Sequence, residues 1–476
     1  MRIQNIFGFI ALSLALTTAA GCKKKNPDTQ APAGTAGAAT DPSKASAEAK
    51  KAFGDVGARY DKAKASGKLS AGQCESFSKD FAKVYKEYGS QMTIAWFNSG
   101  AVLEECGKTE EAEKIYEAII KKEPKFDLAY NNLGVIYWNR KKESKALDYF
   151  KRAVEANPKT KAPRNNLAAA LRDKYSSDPK SDDFSKAERN LQTVLAVDSS
   201  NQLAYENLAR LYYDRGRLKD KSYILLADLV VTQSLRVFSE TGVESPDIYN
   251  IKGLIFMERE NQVDALKAFT KAASIKPDHA DAHMNIAMIS IRFRDYAQAE
   301  KSLNIALKDS RQKKNVETFL GLGVAQRGLR KYKDAEKSFK KAMDMSGKDP
   351  RPLYNLGVLY QGHIGPNSDG DGIKENNTAK GFFSKFISKA GGDKEYSDIV
   401  ADAKQRIENI EQYKKDLEEM KKLEAEAKKL EEIQKKQEAE ERKRLLDLEK
   451  KARDAAAGAS AAAAAPPADK PAEKKE

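Results

Sequence analysis

Between Asp127 and Pro158 the chain reads DLAYNNLGVIYWNRKKESKALDYFKRAVEANP, and its apolar residues fall at helical spacing twice over. Tyr130, Leu133 and Tyr137 stand at i, i+3 and i+7, one face of a first helix, and Phe150 and Ala153 form the facing stripe of a second. Gly134 and Ala146 remove side-chain bulk where two antiparallel helices would cross. Pro158 stops the second helix, because it has no backbone donor and restricts Asn157 before it. One hairpin of this kind cannot bury its own apolar face, so it needs copies stacked on either side.

Copies occur in both directions. Upstream, Trp96, Gly100, Leu103, Ala112, Tyr116 and Pro124 repeat the frame, with Pro124 and Pro158 separated by 34 residues. Downstream, a third copy starts at Leu167, Ala168 and Leu171 and resumes at Ala187, Leu191 and Val194 after the polar insertion SSDPKSDD. A fourth begins at Tyr205, Leu208, Ala209 and Tyr212, and its second half around Ala227, Val231 and Ser234 is unusually apolar. Three more run through Gly253 and Phe269, through His283 and Leu303, and through Gly323 and Phe339. The eighth has Leu356, Gly357 and Tyr360, a Gly/Asn/Asp loop, then Ala379, Phe383 and Phe386. This aromatic, Leu-Gly, aromatic, Ala, Phe, Ala and Pro series resembles the tetratricopeptide (TPR) repeat. The resemblance implies an all-α fold: a TPR α-solenoid of about eight helix-turn-helix repeats, two or three with insertions, followed by a long charged C-terminal helix.

The flanks differ in composition. Residues 1–21 read as a lipoprotein signal peptide, with Arg2 as the positive start and Ile6–Ala20 as an apolar run too short to span a bilayer. Ala19-Ala20-Gly21-Cys22 resembles the bacterial lipobox, which implies lipid on Cys22 and an outer-membrane, periplasm-facing location; Ala19 departs from the more usual Leu. Residues 22–45 form a flexible Pro/Ala/Gly/Thr tether, and 46–92 a helical capping hairpin with Phe53, Val56 and Tyr60 facing Phe77, Phe81 and Val84. The repeats occupy 93–392. Residues 393–454 form a Lys/Glu-rich helix without one steady heptad, read as a solitary helix docking weakly on the last repeat, with a self-pairing coiled coil as the alternative. At about 1.5 Å per residue its length is on the order of 80–90 Å. Residues 455–476 are an Ala/Pro tail expected to be disordered.

Cys74 and Cys106 lie 16 residues either side of Ser90, which places them at the same end of an antiparallel pair. In an exported chain they are candidates for a disulfide, the alternative being two buried thiols.

Charge and chemistry narrow the function. A net charge of +14 is spread as Lys among Glu and Asp, with no RNA-binding signature, so no nucleic-acid partner is expected. There is no phosphate-binding glycine loop, nucleophile elbow or zinc-hydrolase helix, and the chain has only three histidines, too few for most acid–base mechanisms. The chain therefore reads as a non-enzyme without a cofactor. His279 and His283 have ligand-like spacing, but His283 occupies a packing position of its repeat. Asn367, Asp369 and Asp371 resemble the first half of a calcium loop, with Lys374 and Thr378 where such a loop needs an apolar residue and a bidentate Glu.

An array without catalytic groups works through its inner surface. By the TPR resemblance that groove is lined by positions 2, 5, 9, 12 and 13 of each first helix, which nominates Asn131, Trp138, Asn165, Arg210, Asn250, Met284, Met288, Leu320 and Tyr354. The Lys/Asn pair that clamps a terminal carboxylate in some relatives is missing. The asparagines suit an extended backbone and the methionines an adaptable apolar contact. The expected partners are other envelope proteins, with the membrane met only through the lipid and self-association through the C-terminal helix. The whole layout resembles TPR lipoproteins of myxobacterial adventurous gliding-motility machinery, implying a scaffold role; accessory lipoproteins of outer-membrane protein assembly or of cell-wall synthases and hydrolases are the alternative.

Overall fold

The structure, a computed structural model, describes residues 45–367 and 370–463. It is all helical there, and its contacts divide it into two units that meet in sequence at Ser346 and Gly347.

The first unit opens with α1 (Ala47–Ala65) and α2 (Ala71–Tyr88). Ser70 starts α2 with a capping box: its hydroxyl accepts from the Gln73 N–H, and the Gln73 side chain accepts from the Ser70 N–H. The predicted stripes meet, with Phe53 and Phe81 ring centres 5.8 Å apart and Tyr60 edge-on to Phe77 at 5.5 Å. Seven hairpins follow. They are α3 (Thr93–Glu105) with α4 (Thr109–Lys122), α5 (Asp127–Asn139) with α6 (Glu143–Ala156), α7 (Ala162–Ser177) with α8 (Asp183–Val197), and α9 (Gln202–Leu218) with α10 (Ser222–Thr241). The series continues with α11 (Pro246–Glu258) and α12 (Gln262–Ile275), α13 (Ala280–Arg292) and α14 (Tyr296–Ala306), and α15 (Val316–Gly328) and α16 (Tyr332–Met345).

One contact explains how closely three of these seven hairpins close. A Cβ placed on Gly134 would sit 2.5 Å from a ring carbon of Phe150, so the two backbones approach only because glycine stands there. The same close approach recurs at Gly253 on Phe269 and at Gly323 on Phe339. Each of these phenylalanines is fully buried, which stabilises its hairpin by about 2–3 kcal/mol. The turn is equally regular in four of the hairpins. Lys141, Glu260, Arg294 and Arg330 adopt left-handed φ between 59° and 62°. The next N–H closes back on the helix, as from Lys142 to the Tyr137 carbonyl at 3.0 Å and from Asn261 to the Phe256 carbonyl at 2.9 Å.

A disulfide joins Cys74 of α2 to Cys106 just past α3, with Cα atoms 6.3 Å apart, tying the terminal hairpin to the first repeat. The insertion SSDPKSDD is a short turn, because α7 runs on through Ser177 and α8 starts at Asp183.

The second unit holds α17 (Arg351–Leu359), a π-helical turn at Tyr360–Ile364, α18 (Ile373–Ala390) and α19 (Ser397–Ala463). Gly357 meets Phe383 as Gly134 meets Phe150, so the eighth hairpin has the same closure, yet it groups with α19 rather than with the other seven. Two expectations change here. The helix runs on through Ala463, so residues 455–463 are helical rather than part of a disordered tail, consistent with their Ala content. Its start is also better held than a weakly docked helix: Ala403 and Ile410 are buried, and Tyr396 packs edge-on to Phe386. The signal segment, Cys22 and the tether lie outside the described residues.

Candidate functional site

Position 5 of each first helix decides what the inner surface can offer. Asn131, Asn165 and Asn250 are at most 1% exposed. Their amides join neighbouring repeats: Asn166 Nδ2 donates to Asn131 Oδ1 at 2.8 Å, Asn165 Nδ2 to Asn201 Oδ1 at 3.1 Å, and Asn285 Nδ2 to Asn250 Oδ1 at 3.0 Å. Asn201 Oδ1 also accepts from the Ala204 N–H and so caps α9. The Asn131 bond extends further, because Asn131 donates to Asn132 at 3.2 Å and Asn132 to the Tyr116 hydroxyl at 3.1 Å. Glu104 accepts from the Tyr116 hydroxyl at 2.9 Å and from Asn132 Nδ2 at 3.3 Å, and burial lifts its carboxyl above the usual range against those two hydrogen bonds.

The expectation that these asparagines face a peptide is therefore corrected: all three are buried between successive repeats and bonded across them, although the Asn165 Oδ1 has no hydrogen-bond partner there. Trp138, Met284, Leu320 and Tyr354 are buried as well. The Met284 sulfur takes the Thr318 hydroxyl, and Tyr354 packs on Phe383 and Phe386 while donating to Asp402 of α19 at 2.6 Å. Of the nominated set, only Arg210 and Met288 are half-buried.

Around Arg210 the structure gathers what spacing alone had not singled out. Arg172 and Asp173 of α7, Asp214 and Arg217 of α9, and Glu258 of α11 come together along three successive first helices. Arg172 pairs with Asp173 at 2.6 Å and lies 3.7 Å from Asp214, and Arg217 lies 3.8 Å from Glu258. The Tyr213 hydroxyl donates to Glu258 at 3.1 Å. Burial raises the Asp214 carboxyl, opposed by Arg210, Arg172 and Arg217. Arg210 has no ion pair within 4 Å among the described residues, and its charge acts on the buried Asp214 carboxyl more strongly than that of Arg172 or Arg217. A planar guanidinium in this setting takes a carboxylate with two parallel hydrogen bonds. The signal was in the sequence: Arg172, Asp173 and Asp214 occupy positions 12 and 13 of their first helices, the positions that, with 2, 5 and 9, line the inner surface in the TPR pattern.

Other candidates are placed elsewhere. His279 caps α13 by accepting from the Ala282 N–H at 3.1 Å. His283 is buried with Nε2 2.9 Å from the Pro277 carbonyl, and burial lowers its pKa. The two rings have separate structural partners. In the acidic loop, Asp369 and the Asn367 side chain lie outside the described residues. Asp371 accepts from the Ile373 N–H at 3.1 Å and pairs with Lys421 at 2.8 Å. Among the described residues no group of three or more His, Cys, Asp or Glu is gathered as a metal site, and no helix is long and apolar enough to cross a membrane.

Comparison with known proteins agrees with this architecture. Tetratricopeptide repeat family models match residues 94–126, 128–160, 180–220, 252–314 and 284–350. Similar curated proteins include BBSome complex member BBS4 of Bos taurus, 24% identical over 233 residues, covering 49% of this chain and 41% of that one. Tetratricopeptide repeat protein 5 of Bos taurus is 25% identical over 172 residues, covering 35% and 38%. The chain thus spans about two fifths of the length of these relatives. Among solved structures, the APC/C hetero-tetramer Cut9–Hcn1 is 16% identical, covering 59% of this chain and 52% of that one, with a TM-score of 0.46. The chain carries tetratricopeptide repeats.

Proposed function

We propose that this protein is a lipid-anchored, non-enzymatic scaffold of a bacterial cell-envelope complex. In this reading the repeats grip a segment of a partner protein along the first helices α7, α9 and α11. The observation that carries it is Arg210, a half-buried guanidinium at a groove position with no ion pair within 4 Å, set beside the buried Asp214 carboxyl and the pairs made by Arg172 and Arg217. The segment it suits bears a carboxylate, from an Asp or Glu side chain, held in extended form beside the half-buried Arg172 and Arg217. Lipid on Cys22 and the tether after it would keep the array at the membrane surface, and the Cys74–Cys106 disulfide suits an oxidising compartment. The finer assignment, to gliding-motility machinery, rests on the layout of the whole chain.

Two measurements test this. Affinity purification from solubilised envelope with wild type and Arg210→Glu should lose a defined set of proteins in the variant, and identical sets would overturn the groove. Cys22→Ser should move the protein from the membrane fraction to the soluble one; unchanged fractionation would remove the anchor.

A further inference from the structure

Beyond Lys421, which pairs with Asp371 at 2.8 Å, α19 makes no contact with the rest of its unit among the ion pairs and hydrogen bonds of the described residues. Every residue from Glu418 to Ala457 is exposed, including Met420, Leu423, Leu430, Ile433, Leu445 and Leu448, each at least half exposed. Leu417, by contrast, is half-buried, so the unpartnered stretch starts where the helix leaves the body of its unit. The exposed stretch holds an ordered seam. Met420, Leu423, Ala427, Leu430, Gln434 and Gln437 alternate at spacings of three and four. One four-four step through Glu441 then resets the frame to Leu445, Leu448 and Ala452. That step is a stutter, and it explains why no single heptad covers the helix.

The residues beside the seam choose the occupant. In a parallel, in-register pair Glu419 would face Glu424 of the other chain and Glu426 would face Glu431, both repulsive, against one attractive pair, Arg444 with Glu449. In an antiparallel pair centred on Gln434 the facing positions are Glu419 with Lys451, Glu426 with Arg444 and Glu424 with Arg442, all attractive. The same centring sets Met420 against Leu448 and Leu423 against Leu445, so the apolar layers at both ends agree with the charges, while the central layers are polar, with Leu430 opposite Glu438 and Gln434 opposite itself. The charge preference follows because acidic flanks precede Gln434 and basic ones follow Glu441.

We propose that the distal half of α19 pairs antiparallel with α19 of a second copy of this chain, with Gln434 near the two-fold axis. Each copy then contributes the acidic half of its helix to the basic half of the other. The dimer covers leucines that one chain leaves in water and places two bodies at opposite ends of one helical rod.

Charge swaps in the full-length chain test it by sedimentation equilibrium, with circular dichroism confirming unchanged helix content. Wild type is expected to be a dimer at micromolar concentration. Glu424→Arg/Glu426→Arg should weaken self-association by roughly tenfold or more, because each dimer has four of these contacts made repulsive. Arg442→Glu/Arg444→Glu should weaken it similarly, and an equimolar mixture of the two variants should dimerise again. A monomeric wild type would overturn the proposal. So would a Glu424→Arg/Glu426→Arg chain that associates more tightly, since those changes relieve the repulsion of a parallel pair. A trimer or tetramer would also overturn it.

Discussion

Helices α5 and the outer part of α19 have the same backbone and opposite surroundings. Every side chain of α5 from Asp127 to Trp138 is buried, while every one of α19 from Glu418 to Ala457 is exposed. Tertiary contact holds α5: Phe150 fills the space over Gly134, and amides link it to the repeats on both sides. Local terms hold α19, namely Ala, Glu and Lys propensity and i, i+4 pairs such as Glu431 with Lys435 at 2.6 Å. A buried helix is thus specified by what fits against it, and an exposed one by what it carries along its own length.

Cutting Phe150 to Ala should widen the contrast most. It is expected to cost about 3–5 kcal/mol in guanidinium unfolding, whereas Leu430→Ala in the dilute monomer should stay within about 0.5 kcal/mol. Comparable losses at both sites would erase the distinction. Removing the covalent tie with Cys74→Ser/Cys106→Ser should cost about 3 kcal/mol and free α1 and α2 to exchange amide hydrogens ahead of the rest of the unit. Retained protection there would mean that packing alone secures the terminal hairpin. Asn131→Ala should cost about 1–3 kcal/mol, because it strands the Asn166 donor in the interior. A neutral result would show that these amides are reached by water and are free for a ligand.

The smallest effect is a pH dependence. Burial lowers the His283 pKa below its ordinary 6.5, so the unfolded chain binds the proton more readily than the folded one. The stability from this site is therefore complete above pH 6.5 and falls away as pH drops towards the folded value. His283→Phe should flatten unfolding curves across that window, and an unchanged slope would assign the dependence to other groups.

Much of this could be read directly in the chain. The Gly134–Phe150 and Gly253–Phe269 pairs follow from spacing, since a hairpin that closes tightly needs a hole and a knob at fixed separation. The cysteine positions pointed to the same end of α2 and α3 for the same reason. The binding surface was read less well. Asn131, Asn165 and Asn250 look like free hydrogen-bonding groups in a sequence, and only the stacking of one repeat on the next turns them into a buried seam. Arg172, Asp173 and Asp214 were ordinary surface charges until that stacking brought three helices together.

By itself the order of residues determined the repeat, the closure of each hairpin and the helical character of the C-terminal arm. All three depend on contacts within about 34 residues or on local propensity. Tertiary structure decided which polar side chains are used up between repeats and which stay open. It also decided that the eighth hairpin groups with α19 and that the seam of α19 is left bare. The physical reason is that burial belongs to the neighbour as much as to the residue, and a periodic sequence names its neighbours' type without fixing how closely they approach.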